Sequence, residues 1–221
     1  MPKVVHVHFC APPNAGKSSI MSHIKFKLVE MGVPVLCLEN MYPDPNIQYL
    51  RIKALKLQNE LETKRLSENK IAQLRWERSD LYHQILVKLS KIAERMRRGV
   101  VLFEYGLHGT VAMDVAFGRK ERALLHNLVS VRRVRWPDVV IYLAVDLAEL
   151  SARGETPIFR DGNIVEKVHA TMEGMYERYR SSRNWIKVTR TEMQDINLAT
   201  ENCVDLILSH LRTARVSVRS F

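Results

Sequence analysis

Val4-Val5-His6-Val7-His8-Phe9 leads through Cys10 into Ala11-Pro12-Pro13-Asn14-Ala15-Gly16-Lys17-Ser18-Ser19. Ile20, Ile24, Leu28 and Met31 then recur at helical spacing up to Gly32. The first run is β-branched and apolar over a strand's length, so it reads as a buried strand. The last is a helix with a glycine stop. Between them lies a strand-to-helix turn. The first amides of a helix are unpaired and lie at its positive end, so such a turn is a ready anion site. Pro12 and Pro13 carry no N–H. The amides of Asn14, Ala15, Gly16, Lys17, Ser18 and Ser19 are therefore left to cradle an anion. Gly16 allows close backbone approach, Lys17 supplies charge, and the Ser18 hydroxyl is a ligand for a hard cation.

Working outward, Val33–Leu38 is a second buried strand, and the two prolines of 40–45 make a loop. Residues 48–98 carry two helical stripes with a break near Ser67–Lys70, so two helices are expected. Val100–Phe103 is a third strand, 111–134 a helix, and Trp136-Pro137-Asp138 a turn. Val139–Val145 is a fourth strand and Leu147–Arg153 a short helix before a charged loop, 154–163. Ile164–Tyr179 is a helix, Trp185–Val188 a fifth strand and 192–212 a closing helix. Short apolar strands alternating with helices predict an α/β domain with a five-stranded parallel sheet covered on both faces. That domain spans 1–211, and a frayed basic tail spans 212–221.

Lys and Arg total 34 against 24 Asp and Glu, a net charge of +10, which raises the question of an anionic partner. No apolar run approaches the roughly 18 residues needed to span a bilayer, so no membrane is expected. Cys10, Cys37 and Cys203 are far apart and odd in number, which fits buried reduced thiols rather than a disulfide or zinc framework. The start is too punctuated for a leader peptide. The chain is read as intracellular and cytoplasmic, with an organelle left open. His6 and His8 alternate on one strand face without a carboxylate or thiol partner and are read as core histidines. Arg95, Arg97 and Arg98, with Arg132, Arg133 and Arg135, form helix-end clusters that either complement helix dipoles or meet a polyanionic partner.

The turn fits the Walker A pattern, G-x-x-x-x-G-K-[ST], with Ala11 in place of the first glycine. Further segments extend the likeness: Leu38-Glu39-Asn40-Met41-Tyr42-Pro43, Leu102-Phe103-Glu104-Tyr105-Gly106, Trp136-Pro137-Asp138 with its strand, Arg153-Gly154, Arg160-Asp161-Gly162 and Asn184–Val188. On these the chain resembles the thymidylate kinases of the P-loop nucleotide-kinase superfamily over nearly its whole length. The resemblance implies a three-layer P-loop NTPase-type fold with a lid at about 153–163. It also implies ATP- and Mg²⁺-dependent phosphoryl transfer to a nucleoside monophosphate, and a nucleotide substrate. Lys17, Arg153 and Arg160 would surround the transferring group, and Ser18 and Glu104 would lie near Mg²⁺. A homodimer is one assembly open to such a chain.

The departures fall on the acceptor side. Pro13 stands where the family carries an acidic residue, Met41 where it carries an arginine, and Glu104-Tyr105 where it carries Asp-Arg. A phenol cannot replace a bidentate guanidinium fork. Arg78 is the first candidate for the helix arginine facing the base, with Tyr82 or His83 as alternatives. Glu39, Tyr42, Tyr105 and His108 are the further substrate-contact candidates. Two other readings stand beside the first. One is a catalytically degenerate kinase fold serving as a basic nucleotide-binding or scaffold component of a larger, RNA-containing assembly. The other is a deoxynucleoside kinase with Glu39 as base and Glu104 as the second carboxylate, after the third strand.

Overall fold

The computed structural model describes residues 4–12, 14–39, 42–152, 162–182 and 184–216. Strand β1 (Val4–Cys10) is buried from its second residue onward. A strand with no solvent face needs a neighbour on each edge and a layer on each face. β2 (Val35–Leu38), β3 (Gly99–Phe103), β4 (Val139–Ala144) and β5 (Trp185–Thr189) complete a parallel sheet of order β2-β3-β1-β4-β5. The expected five-stranded α/β architecture is the one found.

Alternate residues of the strands feed two cores. Val5, Val7 and Phe9 pack with Ile20, Ile24 and Leu28 of α1 (Lys17–Glu30) and Cys203 and Ile207 of α9 (Ile196–Val216). On the other face Val101, Phe103, Val140 and Tyr142 meet Leu50 of α2 (Pro45–Thr63), Leu86 and Leu89 of α3 (Glu68–Ala93), Val111 of α4 (Leu107–Ala116) and Met172 of α7 (Gly162–Tyr179). His6 and His8 lie on this second face, with ring centroids 5.7 and 4.4 Å from Phe103. Cys10, Cys37 and Cys203 are free thiols. Among the described residues no helix is long and apolar enough to cross a membrane.

Two expectations are corrected. The helix expected over 111–134 is three pieces: α4, α5 (Glu121–Leu125) and a π-helical segment, His126–Val131. Gly118, at φ 90°, ends α4 early. α4 also begins sooner, because Gly106 caps it in an extended conformation and the Leu107 amide donates to His8 Nδ1 at 3.0 Å. The frayed tail expected from Arg212 is also helical through Val216. No glycine or proline interrupts Ile196–Val216, so α9 runs on. The expected lid falls almost entirely on 153–161, outside the described residues, and α7 starts at Gly162. Short helices α6 (Leu147–Ala152) and α8 (Arg190–Gln194) complete the chain.

The β3–α4 turn is held hard against β1. The Gly106 amide donates to Phe9 O at 3.3 Å, and a Cβ at Gly106 would fall 2.3 Å from His8 Cβ. Only glycine permits this approach. Gly106→Ala is expected to cost about 2 kcal/mol and lower Tm by roughly 4–8 °C. A calorimetric shift of about 1 °C or less would mean the turn moves aside without strain.

Candidate active site

β1 and β3 are neighbours in the sheet, and β2 and β4 lie beyond them on opposite sides. Open α/β sheets bind ligands at the carboxyl ends of the strands where the order reverses. The turn after β1 and the Glu104-Tyr105 pair after β3 meet at such a place. A cavity of about 580 Å³ opens there. Asn14, Gly16, Lys17, Ser18 and Ser19 line one side; Arg78, Ser79 and Tyr82 of α3 line the other, with Glu104 and Tyr105 between.

The turn has the backbone of an anion nest. Asn14 (φ 61°) and Gly16 (φ 87°) are both left-handed, and Ala15 between them is fully buried. Lys17 is buried beneath the loop. Its Nζ donates to Pro12 O at 2.7 Å and Ala11 O at 3.2 Å, and lies 5.0 Å from the Tyr105 ring centroid. Pro12 removes a donor from the turn and supplies a carbonyl to the lysine. Burial pulls the Lys17 ammonium down to about 8, a fall moderated by the Glu104 carboxylate.

Ser18 Oγ donates to Glu104 Oε1 at 3.1 Å. A hydroxyl and a carboxylate side by side are hard oxygen donors of the kind Mg²⁺ takes in phosphate sites, where one or two protein groups join the substrate's own oxygens. The donor set fits that ion. Among the described residues no three His, Cys, Asp or Glu side chains gather into a metal cage.

The wall facing the turn is built from helices rather than from the β3 turn. Burial, then the neighbouring Glu104 charge, pushes the Tyr105 phenol up to about 12, so it stays neutral. Arg51 of α2 and Arg78 of α3 both stand close enough to pull against that rise. The Arg78 guanidinium lies 4.8 Å from the Tyr82 ring centroid and donates to Tyr82 Oη at 3.5 Å. Among the described residues Arg78 Nε and Arg51 Nη1 are buried without a hydrogen-bond partner. Arg78 lines the cavity, and Arg51 acts on Tyr105, which also lines it. The cavity's far wall is Met113, Phe117 and a buried pair in which Ser79 Oγ donates to Asp114 Oδ1. Asp114 Oδ2 also takes Arg119 at 3.2 Å and lies 2.9 Å from His83 Nε2.

The expected residues therefore divide. Asn14, Gly16, Lys17, Ser18, Ser19, Glu104, Tyr105 and Arg78 line one cavity, with Ala15 buried under the turn. Glu39 is exposed at the end of β2, and Tyr42 packs against the core; neither lines the cavity. His108 is corrected from a substrate contact to a core residue. It is fully buried, 4.9 Å from the Trp136 ring and 4.8 Å from Trp185, and burial lowers its imidazole to about 3. Pro13, Met41, Arg153 and Arg160 lie outside the described residues. Arg51, Ser79 and Asp114 were missed, because no local motif marks a helix residue that only packing brings to a site.

The arrangement is an anion nest beside a hydroxyl–carboxylate pair, set at the carboxyl ends of a five-stranded parallel α/β sheet. Comparison with solved structures gives that fold a particular likeness. A thymidylate kinase from Ehrlichia chaffeensis matches with a TM-score of 0.64 over 94% of this chain and 100% of that one, at 13% sequence identity. No family model matches the chain, and no curated protein matches it by sequence.

Lys17 links the site to proton uptake. With the group near half-charged at pH 8, a bound polyphosphate that restores it toward its ordinary 10.5 draws in about half a proton. ATP-binding enthalpies measured at pH 8 in buffers of different ionisation enthalpy should show a slope near that value. Lys17→Met should abolish it, and a zero slope in the unmodified protein would refute the shift.

Proposed function

We propose that the protein is an ATP- and Mg²⁺-dependent phosphotransferase whose acceptor is a nucleoside monophosphate. The observation that supports this is continuity: one cavity joins the phosphate turn, the Ser18–Glu104 pair and the Arg78 side of α3. Phosphoryl transfer needs little covalent chemistry from a protein. It needs positioning and neutralisation of spread negative charge.

On this reading the amides of Asn14 to Ser19 hold the donor phosphates. Lys17 exchanges two neutral carbonyl partners for phosphate oxygens, a gain of charge-assisted bonds. Ser18 Oγ and the Glu104 carboxylate would hold Mg²⁺, which would supply neutralisation of phosphate charge. Arg78 and Arg51, with unpaired buried donors, take the acceptor phosphate that Tyr105 cannot grip. Tyr82, Met113 and Phe117 give the apolar walls of a base slot, with Ser79–Asp114 as its polar end. Arg153 and Arg160 are the further cations proposed for the transferring group. Thymidylate, from the name of the structural neighbour, is the first acceptor to try.

A second reading has its own observation. Lys17 already has two carbonyl partners and a ring face, and Tyr105 stands where the resembling family has arginine, as in a fold that binds nucleotide without transferring phosphate. ADP formation with ATP, Mg²⁺ and a panel of nucleosides and monophosphates separates the two. The kinase reading expects acceptor-dependent turnover, lowered about 10²–10³-fold by Lys17→Ala. Arg78→Ala should lower kcat/KM for the acceptor by roughly 10–100-fold. An ATP-induced rise in Tm without turnover on any acceptor would replace it with the binding reading. Turnover on nucleosides alone would reassign the acceptor to a free hydroxyl.

A further inference from the structure

Phosphates at the carboxyl ends of the strands account for few of the cations. The opposite end of the sheet gathers a separate set. Arg97 and Arg98 run directly into β3, and Arg132, Arg133 and Arg135 precede β4. β3 and β4 flank β1 on either side, so these arginines converge on one edge of the domain, two strand spacings or about 10 Å apart. The register fixes the meeting point. Val4 of β1 pairs with Gly99, the residue after Arg98, and Val4 O accepts from Arg135 Nη2 at 3.4 Å. Arg97, Arg98, Arg133 and Arg135 are exposed. Arg135 is paired with Asp138 at 3.0 Å; Arg97, Arg98 and Arg133 have no ion pair among the described residues.

The backbone holds this display in place. Arg133 is left-handed at φ 57°, and the amides on either side of it are tied back, Arg132 N to Asn127 O and Val134 N to Leu128 O, both at 2.9 Å. Those carbonyls belong to the π-helical segment. Bulges of this kind recur where a helix has been bent to a functional purpose.

Among the arginines stands an aromatic platform. Trp136 is 40% exposed. Its inner edge meets His108 at 88° and 4.9 Å, and Tyr179 at 6.1 Å, so the ring is buttressed from within and open outward. The buried His108 thereby acquires a role. With neither ring nitrogen hydrogen-bonded, it serves as a flat neutral wedge behind Trp136. Arginines alone fit any polyanion. Guanidinium groups flanking a fixed, half-exposed indole fit a polyanion that also offers flat π-faces. Unstacked bases do so, and a duplex does not.

We propose that this arginine–Trp136 face at the amino ends of β3, β1 and β4 binds single-stranded nucleic acid, with Trp136 stacking on a base. It lies at the other end of the sheet from the phosphate turn and acts whether or not the cavity transfers phosphate. The test is fluorescence anisotropy of a labelled single-stranded RNA of about ten nucleotides, titrated with the whole protein across a salt series. Binding that weakens steeply with salt is expected. Arg97→Ala/Arg98→Ala/Arg133→Ala, all on exposed side chains, should lower the log–log salt slope by about 2 and leave the ATP-induced Tm shift unchanged. Trp136→Ala should weaken binding roughly tenfold, and Trp136→Phe should restore most of it. Absence of binding at low salt, or binding indifferent to the triple arginine variant, overturns the proposal. Equal affinity for inorganic polyphosphate and no response to Trp136→Ala reassigns the face to polyanions without bases and overturns it as well.

Discussion

The site rests on an ammonium group that is almost wholly buried. Taking the Lys17 charge out of solvent is costly, and a lone cation there would lose its proton. The fold answers with Pro12 O, Ala11 O, the face of Tyr105 and the field of Glu104. Each of those groups is placed by a different constraint. The carbonyls come from the front of the loop, where Pro12 has no N–H to turn inward. Tyr105 and Glu104 follow from the β3 turn, which Gly106 and His8 hold against β1. The lysine stays mostly charged at neutral pH, yet its partners are weaker than phosphate oxygens. A site that keeps a cation under such partners is primed for an anion.

The same economy of charge shapes the α3 side of the cavity. With a neutral phenol after β3, cationic help has to arrive from outside the local motif. Arg51 from α2 and Arg78 from α3 converge beside Tyr105, each with a buried nitrogen left unpaired. Buried guanidinium donors without partners are costly on their own. That cost is tolerable where a ligand relieves it. A buried carboxylate on the far wall, Asp114, by contrast accepts from Ser79 Oγ and Arg119 and lies 2.9 Å from His83 Nε2, so its charge is already matched and Ser79 supplies the hydroxyl of that wall.

What the sequence disclosed followed from how local each determinant is. The phosphate turn depends on a strand, six or seven loop residues and a helix start, all contiguous, and it was legible as a unit. The five strands were legible because each is a short apolar run bounded by a turn or a glycine. Arg78 could be named only by analogy. Arg51, Ser79 and Asp114 could not be found, since their roles depend on how α2, α3 and α4 pack. The split of 111–134 turned on Gly118 and on hydrogen bonds that the Arg132 and Val134 amides donate back to carbonyls of the π-helical segment, where helical periodicity gives no warning. His108 was misjudged because a polar residue just past a strand's carboxyl end resembles a ligand group. Its partners, Trp136, Tyr179 and Trp185, come from three other places in the chain.

In a chain of net charge +10, two groups of cations stand at opposite ends of one sheet. At the carboxyl ends the cations are few and mostly buried: Lys17 and Arg78 are at 5% and 9% exposure. Burial makes them specific, because desolvated charge rewards a ligand of the right shape and penalises any other. At the amino ends the arginines are exposed and consecutive, where solvent screens each one and only a partner with repeated charge gathers their sum. A small nucleotide could not use that second set, since it would neutralise one or two groups and leave the rest in water. The parallel sheet keeps the two sets apart, because its two ends are one strand length distant. The first set is buried and the second exposed, so the first favours a compact anion that fits it, while the second sums only over a partner with repeated charge.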